Sequence, residues 1–564
     1  MDAQVLLQRT REARELLLAP GAPFEMEAVE HLGQTVRAYK RAFVCLPDLI
    51  NAGRSHGERE FMVYGDDRWT FNRFFAAVDA LAGRLQRTHG LKSGERVCLA
   101  MRNRPEWAVA FAAVTLIGAV PAPLNSFGLG AELCAGLCDI QPRWLICDHE
   151  RLQRLSGETL PEGCSITVVD SADGTVSWQQ LTAPDGPALV PPVLTATDPA
   201  LLMFTSGAST QAKGVLSNQR AVCQALHNID YIGAIAGMTS PQAVQKLMAA
   251  GLTPTTLTVV PLFHVSGLHA QLLASLRHGR RLVFMHRWDP AQALEIIQKE
   301  KITQFNGAPS MVQQLLNLPA FHDQAVTGTL MGLGFGGAGL SQRLIDATLN
   351  ARPDSLSGIG FGLTETNGVG AAASGTLFSL RPESAGLLSP LMELRIADVM
   401  GESLPAGQDG EIWLRGVTVM DGYWNAAEAM QSAVTDGWFH TGDVGILDEQ
   451  GFLRIVDRIK DVINRSGEKI AAAEVESCLL HYPGVEEAAV FSQPDEQTGE
   501  AVVAVVHLRP GTVLTPQSLQ QHVAQHLAAY KVPQVIFLRT ESMPRNPAGK
   551  LLKNQLKASY LVKA

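Results

Sequence analysis

The sequence predicts an α/β protein: a large N-terminal domain built mainly on parallel sheet, a small β subdomain, and a small α+β C-terminal domain. Three observations predict it. Apolar strands alternate with amphipathic helices from about Phe61 onward, the rhythm of βαβ units. After about Asp398 the pattern changes to short strands and Gly turns. Near Val456–Asp461 a further unit of about 105 residues begins, enough for a separate small domain.

The elements follow in order. Residues 1–40 are expected to be helical and charged, with little that looks like core. Helix over Phe71–His89, strand over Arg96–Met101, helix over Pro105–Ile117 and strand over Trp144–Cys147 set the βαβ alternation. A proline-rich connector, Pro184–Pro199, precedes an apolar strand at Ala200–Phe204. Strands follow at Leu257–Val260, Leu282–Phe284, Thr303–Asn306 and Met331–Phe335, then at Gly410–Leu414. The last unit has helices Ala473–His481 and Thr515–Leu527 and strands Ala488–Phe491, Ala501–Leu508 and Val535–Leu538.

Composition narrows the function. The 564 residues are 46% hydrophobic and 18% charged, so a largely disordered chain is excluded. The net charge of −9 argues against nucleic acid as a partner, which needs a basic surface. It leaves room for one anionic small molecule at a local basic site. The eight cysteines are scattered, and Cys134 with Cys138 is expected to be a pair of buried thiols on a helix rather than a metal site. No basic segment followed by an apolar run opens the chain, so no signal peptide is expected. Trp107–Leu124 is the one stretch that mimics a membrane span. Its Gly118, Pro121 and Pro123 suit a buried helix leading into a strand instead, and the expectation is a soluble, cytoplasmic protein without a span.

Five segments carry chemistry. Thr205-Ser206-Gly207-Ala208-Ser209-Thr210-Gln211-Ala212-Lys213-Gly214 follows a strand and offers what a phosphate cradle needs: close backbone, N–H donors and one cation. It is not a Walker A loop. Gly360-Phe361-Gly362-Leu363-Thr364-Glu365, preceded by Gly336-Gly337-Ala338-Gly339-Leu340, surrounds an aromatic ring with glycines. It adds a hydroxyl donor and a hard oxygen ligand for Mg²⁺. In Trp438-Phe439-His440-Thr441-Gly442-Asp443 a carboxylate on a tight turn could chelate a ribose diol. Asp457-Arg458-Ile459-Lys460-Asp461, with Gly467 downstream, is a charged turn between two domains, and Pro544-Arg545-Asn546-Pro547-Ala548-Gly549-Lys550 places a lysine on a Gly turn. Taken singly, each has a plain structural reading as a turn or a solvated charge.

In this order, with Pro261-Leu262-Phe263-His264 and Tyr530-Lys531-Val532-Pro533 between them, the segments resemble the adenylate-forming superfamily from about residue 45 to 560. That superfamily contains acyl- and aryl-CoA synthetases, peptide-synthetase adenylation domains and luciferases. The resemblance implies stacked sheet subdomains in a large domain over 1–456, a hinge over 457–461 and a mobile C-terminal lid over 462–564. It implies an AMP-forming acid–thiol ligase using ATP, Mg²⁺ and CoA on a small carboxylic acid. By the same match Lys550 would bridge carboxylate and α-phosphate, Thr364 would hold the α-phosphate, and Glu365 the Mg²⁺. Asp443 would bind the ribose and Arg458 would follow it. Phe361 and Gly362 would face adenine opposite Gly336, Gly337 and Ala338. Thr205, Ser206, Gly207 and Lys213 would cradle phosphates, Lys460, at the hinge, and Gly467 downstream of it would belong to the cofactor-binding set, and His264 would stand at the mouth of the acyl pocket.

The text looks closest to bacterial fatty acyl-CoA synthetases, and a fatty or aryl acid is expected. No acidic residue lies between Thr253 and Leu276 to pair an α-ammonium, which disfavours amino acids. Gly334 and Gly336 leave space there. The acceptor is CoA or a carrier protein's phosphopantetheine; a homodimer stays open, and an impaired nucleotide- or acyl-binding homologue is the third reading. That last reading rests on the phosphate loop. The family's Thr-Ser-Gly-Thr/Ser-Thr-Gly-x-Pro-Lys-Gly becomes Ala208, Thr210 and Ala212 at the fourth, sixth and eighth positions. A hydroxyl donor is lost, and Thr210 costs about 1–2 kcal/mol if the loop is left-handed there. Restoring Thr210→Gly with Ala212→Pro is expected to speed pyrophosphate release about tenfold or more; an unchanged rate would show that the variant loop is no handicap.

Overall fold

In the computed structural model, residues 3–205, 212–336, 339–466, 468–546 and 549–561 are described. A fourteen-stranded mixed sheet runs through the large domain. Its centre is parallel: Gly358–Phe361, Gly332–Gly336, Gln304–Gly307, Thr255–Thr258, Arg281–Phe284 and Glu60–Tyr64 lie side by side in that order. The strands after Ala371 continue it antiparallel. A second, four-stranded parallel sheet (Val120–Pro123, Arg96–Ala100, Trp144–Cys147, Ser165–Val168) packs with helices Phe71–Gly83 and Pro105–Leu116. Helix Pro105–Leu116 is buried almost all round, as a helix between two layers must be. No helix among the described residues is long and apolar enough to cross a membrane.

The C-terminal domain has its own five-stranded sheet, with helices Ala472–Leu480 and Pro516–His526 packed together over a separate core that includes Ile463, Val475, Val502 and Leu519. Most expected elements form within a few residues of their predicted limits. Three expectations need correction. Residues 1–40 are helical only over Ala3–Leu18; Met26–His31 pairs with Gln34–Tyr39 as a hairpin, and Leu6, Val36 and Tyr39 sit in the core of the large domain. Of the two helix thiols, Cys134 is buried but Cys138 is exposed. The strand expected at Leu257–Val260 occupies Thr255–Thr258 instead. Its Thr255 and Thr256 are buried yet border an internal cavity, so an apolar run is a poor guide to where it begins.

The two domains meet in one place that matters for everything below. The Asn546–Lys550 loop turns back on itself: Asn546 N–H donates to the Lys550 carbonyl, and Lys550 N–H to Asn546 Oδ1, both at 2.8 Å. Arg545 ties the Gly549 carbonyl (2.9 Å) to Glu487 (2.6 Å) on the C-terminal sheet. Gly549 sits at φ +80°, and a Cβ there would come within 2.4 Å of Ala308 Cβ in the large domain. Only glycine gives both the left-handed turn and the close approach. Arg343 reaches the Val485 carbonyl (3.4 Å), and Asp457 accepts from Ala473 N–H (3.1 Å), so the C-terminal domain is seated on the large one.

Candidate active site

The loop delivers Lys550 into a cavity of about 2520 Å³ between the domains. Twelve of the predicted site residues line it: Thr205, Lys213, His264, Gly336, Phe361, Gly362, Thr364, Glu365, Asp443, Arg458, Lys460 and Lys550. Ser206, Gly207, Gly337, Ala338 and Gly467, with the variant positions Ala208 and Thr210, lie outside the described residues.

Asp443 is not on a tight turn, as the sequence suggests, but within the strand Trp438–Leu447. A register shift opposite Ile412, with Gly442 at φ +69°, bulges the strand there, and Asp443 borders the cavity beside the bulge. Its cross-strand partner is Arg458, whose Nε meets Asp443 Oδ1 at 2.7 Å. Burial pushes the Asp443 carboxyl up, against the pull of Arg458 and Lys550. Lys460 occupies the short turn Ile459–Asp461 and faces the cavity rather than a fully solvated surface; burial lowers its ammonium. Lys550 is pushed down to about 8, chiefly by burial and then by the neighbouring Arg458, while Asp443 opposes the shift.

On the facing wall, Thr364 and Glu365 form a short 3-10 turn after the strand Gly358–Phe361. Gly362 is needed for contact: a Cβ would fall 2.2 Å from the Gly368 carbonyl oxygen. Tyr423, which stands in none of the five motifs, organises this corner. Its hydroxyl donates to Glu365 Oε1 (3.0 Å), and Lys213 Nζ lies 4.7 Å from its ring centroid. One ring thus relates Lys213 to the Glu365 carboxylate. The Glu365 carboxylate keeps its other oxygen free of that bond, a hard donor of the kind Mg²⁺ takes.

A second arm of the cavity runs along the sheet under helix Gln219–Thr239. Gly336 opens onto empty space as expected. Gly334 does not, because the Asn306 amide fills its side: an added Cβ would meet Asn306 Oδ1 at 2.0 Å. Gly332 makes room for Gln304 in the same way, and Gln304 Nε2 donates to Asn306 Oδ1 (2.7 Å). The arm therefore has an amide floor. Gln271 and His269 border it, each under 3% exposed; the His269 ring meets the Asn367 side chain, while the Gln271 carboxamide has no hydrogen-bond partner among the described residues. Asp230 also borders the arm, but Arg277 and His278 already pair it (His278 at 2.6 Å). His264 also borders the cavity; burial drives its imidazole down to about 4, so it is neutral at pH 7.

A large lobe and a small lobe thus share a cleft that offers a lysine, a buried carboxylate–arginine pair, a glycine-flanked aromatic ring and a hard oxygen donor. This is a nucleotide-handling enzyme architecture. The chain matches the AMP-binding enzyme family over residues 50–424 and the AMP-binding enzyme C-terminal domain over residues 474–550, and it belongs to that family. It is 32% identical to a 4-coumarate–CoA ligase-like protein of Oryza sativa subsp. japonica (87% of this chain, 88% of the relative). A 4-coumarate–CoA ligase of Humulus lupulus is 30% identical, covering 91% of each. Among solved structures, the Bacillus subtilis o-succinylbenzoate CoA synthetase in complex with its acyl-adenylate intermediate is 26% identical. Its TM-score is 0.74, over 90% of this chain and 97% of that one. A Mycobacterium tuberculosis fatty acyl CoA synthetase is 25% identical with TM-score 0.68, over 92% and 99%.

The lysine's surroundings give a direct expectation. With its amines reductively ¹³C-methylated, the protein should show one lysine signal, absent in Lys550→Arg, titrating near pH 8, more than two units below an ordinary lysine. A midpoint near 10.5 would mean that Lys550 stands in solvent.

Proposed function

We propose that this protein is an ATP-dependent carboxylic acid–CoA ligase that works through an acyl-adenylate, and that its acid is an aryl acid carrying polar substituents. The observation that carries the first part is the placement of the Lys550 ammonium inside the cleft, within electrostatic reach of Asp443 and Arg458.

In the first step a carboxylate oxygen of the acid bonds to the α-phosphorus of ATP, and the bond from that phosphorus to the bridging oxygen breaks, releasing pyrophosphate. Negative charge gathers on the phosphoryl oxygens as two anions meet, so catalysis is positioning and charge neutralisation. Lys550, still largely protonated at pH 7, supplies a cation at that point. Thr364 donates to the α-phosphate, Asp443 accepts from the ribose diol, and Phe361 stacks on the base beside Gly336 and Gly362. Thr205 and Lys213 face the outer phosphates. Glu365 would hold Mg²⁺, which when bound offsets charge on the phosphates. In the second step the CoA sulfur, its thiol proton passing to solvent, attacks the acyl carbonyl carbon and AMP leaves with the bonding electrons. A neutral His264 can lie beside that path without binding the acid as an ion pair. The 457–461 segment, with Lys460 in it, is the hinge about which residues 462–564 turn between the steps.

The polar arm supports the second part. A saturated chain laid along this wall would leave the buried Gln271 carboxamide without a partner among the described residues, at about 1–3 kcal/mol. A hydroxyl or carbonyl group on an aromatic ring would satisfy it. The names of the two plant relatives, a 4-coumarate–CoA ligase and a 4-coumarate–CoA ligase-like protein, support the aryl reading.

Pyrophosphate release and thioester formation across an acid panel test both parts. Release is expected to require ATP, Mg²⁺ and an acid, to fall at least about a hundredfold in Lys550→Ala, and to yield a thioester with free CoA at saturable concentration. Hydroxylated aryl acids are expected to exceed alkyl acids of similar length in kcat/KM by tenfold or more, the worth of one such pairing. Alkyl acids winning would overturn the substrate class. Nucleotide binding without release for any acid would overturn the enzyme.

A further inference from the structure

On the C-terminal domain three side chains converge that the proposed reaction does not use. Cys478 projects from helix Ala472–Leu480, and His522 and His526 from helix Pro516–His526. The sulfur and one ring nitrogen of each histidine lie within 4.8 Å of one another. Histidines four apart on a helix share one face, a chelating spacing, and the neighbouring helix brings the thiol to that face. A tetrahedral transition metal needs these atoms about 3.3–3.8 Å apart, given bonds of about 2.0–2.3 Å, which small side-chain rotations supply.

A second feature points the same way. A ligating histidine ordinarily donates its other ring N–H to a carbonyl or carboxylate, which fixes the tautomer and orients the ring. Both rings do so: His522 Nε2 meets the Cys478 backbone carbonyl at 3.1 Å, and His526 Nδ1 meets the His522 carbonyl at 2.8 Å. A carbonyl only accepts, so each of these nitrogens carries the proton and the other nitrogen of each ring holds a lone pair. Tyr482 packs edge-on against His522, the centroids 5.1 Å apart. His481, on the same helix as the thiol, holds the Ser477 carbonyl through Nδ1 (2.7 Å), and Glu474 is held by Lys531 at 2.7 Å. All three ligand residues border the cavity that receives Lys550.

We propose that Cys478, His522 and His526 form a binding site for a zinc-class transition-metal ion, with the thiol bound as thiolate after its proton passes to solvent. The ion joins the two helices of the C-terminal domain on the side facing the cleft. It is distinct from the Mg²⁺ position at Glu365, which offers oxygen alone.

Untagged, full-length, chelator-treated protein titrated with CoCl₂ tests the site. The expected result is a near-ultraviolet thiolate-to-cobalt band with intense visible bands of four-coordinate cobalt, both bleached by ZnCl₂. Cobalt at an oxygen site such as Glu365 gives no thiolate band. Cys478→Ser should abolish the band, and His526→Ala, at an exposed position, should weaken cobalt binding at least tenfold while leaving the thermal midpoint of the metal-free protein in place. The Cys134 and Cys138 sulfurs, 3.9 Å apart, are a thiol pair that could give a thiolate band of its own, and the double serine variant at those positions should keep the band. No thiolate band in the wild type, a band that survives Cys478→Ser, or one lost in the Cys134/Cys138 variant would overturn the site. If Cys478→Ser does not fold, unchanged cobalt binding in His526→Ala overturns it alone.

Discussion

The seating of the Gly549–Lys550 loop on Ala308 is the contact on which the active-site arrangement depends. A lysine at the end of a tail is ordinarily a solvated charge, and burying it without a partner is costly. Here the cost is tolerated because the loop backbone is fixed from both sides. Asn546 closes the turn, Arg545 fastens Gly549 to Glu487, and the missing side chain at Gly549 lets the turn lie against the large domain. The ammonium is thereby brought to a carboxylate–arginine pair that is itself built into a bulged strand.

The same cleft shows two uses of glycine. At Gly549 and Gly362 the absence of a side chain permits backbone to touch backbone or a neighbouring wall. At Gly332 and Gly334 it makes room for the amides of the adjacent strand, and those amides turn what would be an apolar floor into a polar one. The Gln304 and Asn306 amides thus stand one strand away from the glycines that make room for them.

Much of this was legible in the chain itself. Asp443, Arg458, Thr364, Glu365 and Lys550 stand in ordered motifs whose residue types match their chemistry, and the cleft gathers them. What was not legible depends on register and tertiary contact. Tyr423 is a lone tyrosine after a glycine until the strand Gly422–Tyr423 pairs with Gly214–Asn218 and sets its ring between Lys213 and Glu365. Gln304 and Asn306 alternate along a strand like any polar pair until their neighbour proves to be glycine. The strand over 255–258 begins with two buried threonines that border the cavity, and an apolar run does not mark such a start. The Cys478–His522–His526 group draws its members from two helices some forty residues apart, and only the packing of those helices joins them.

If the docked loop is the arrangement that makes the acyl-adenylate, then blocking the dock should separate the two half-reactions. Gly549→Val adds a branched side chain at a left-handed position 2.4 Å from Ala308, while leaving Lys550 and every group of the large domain in place. Measured separately, pyrophosphate release from ATP and acid should fall by about a hundredfold or more, whereas thioester formation from supplied acyl-AMP and CoA should stay within about threefold of wild type. Equal loss in both half-reactions, or full adenylation by the variant, would contradict the account.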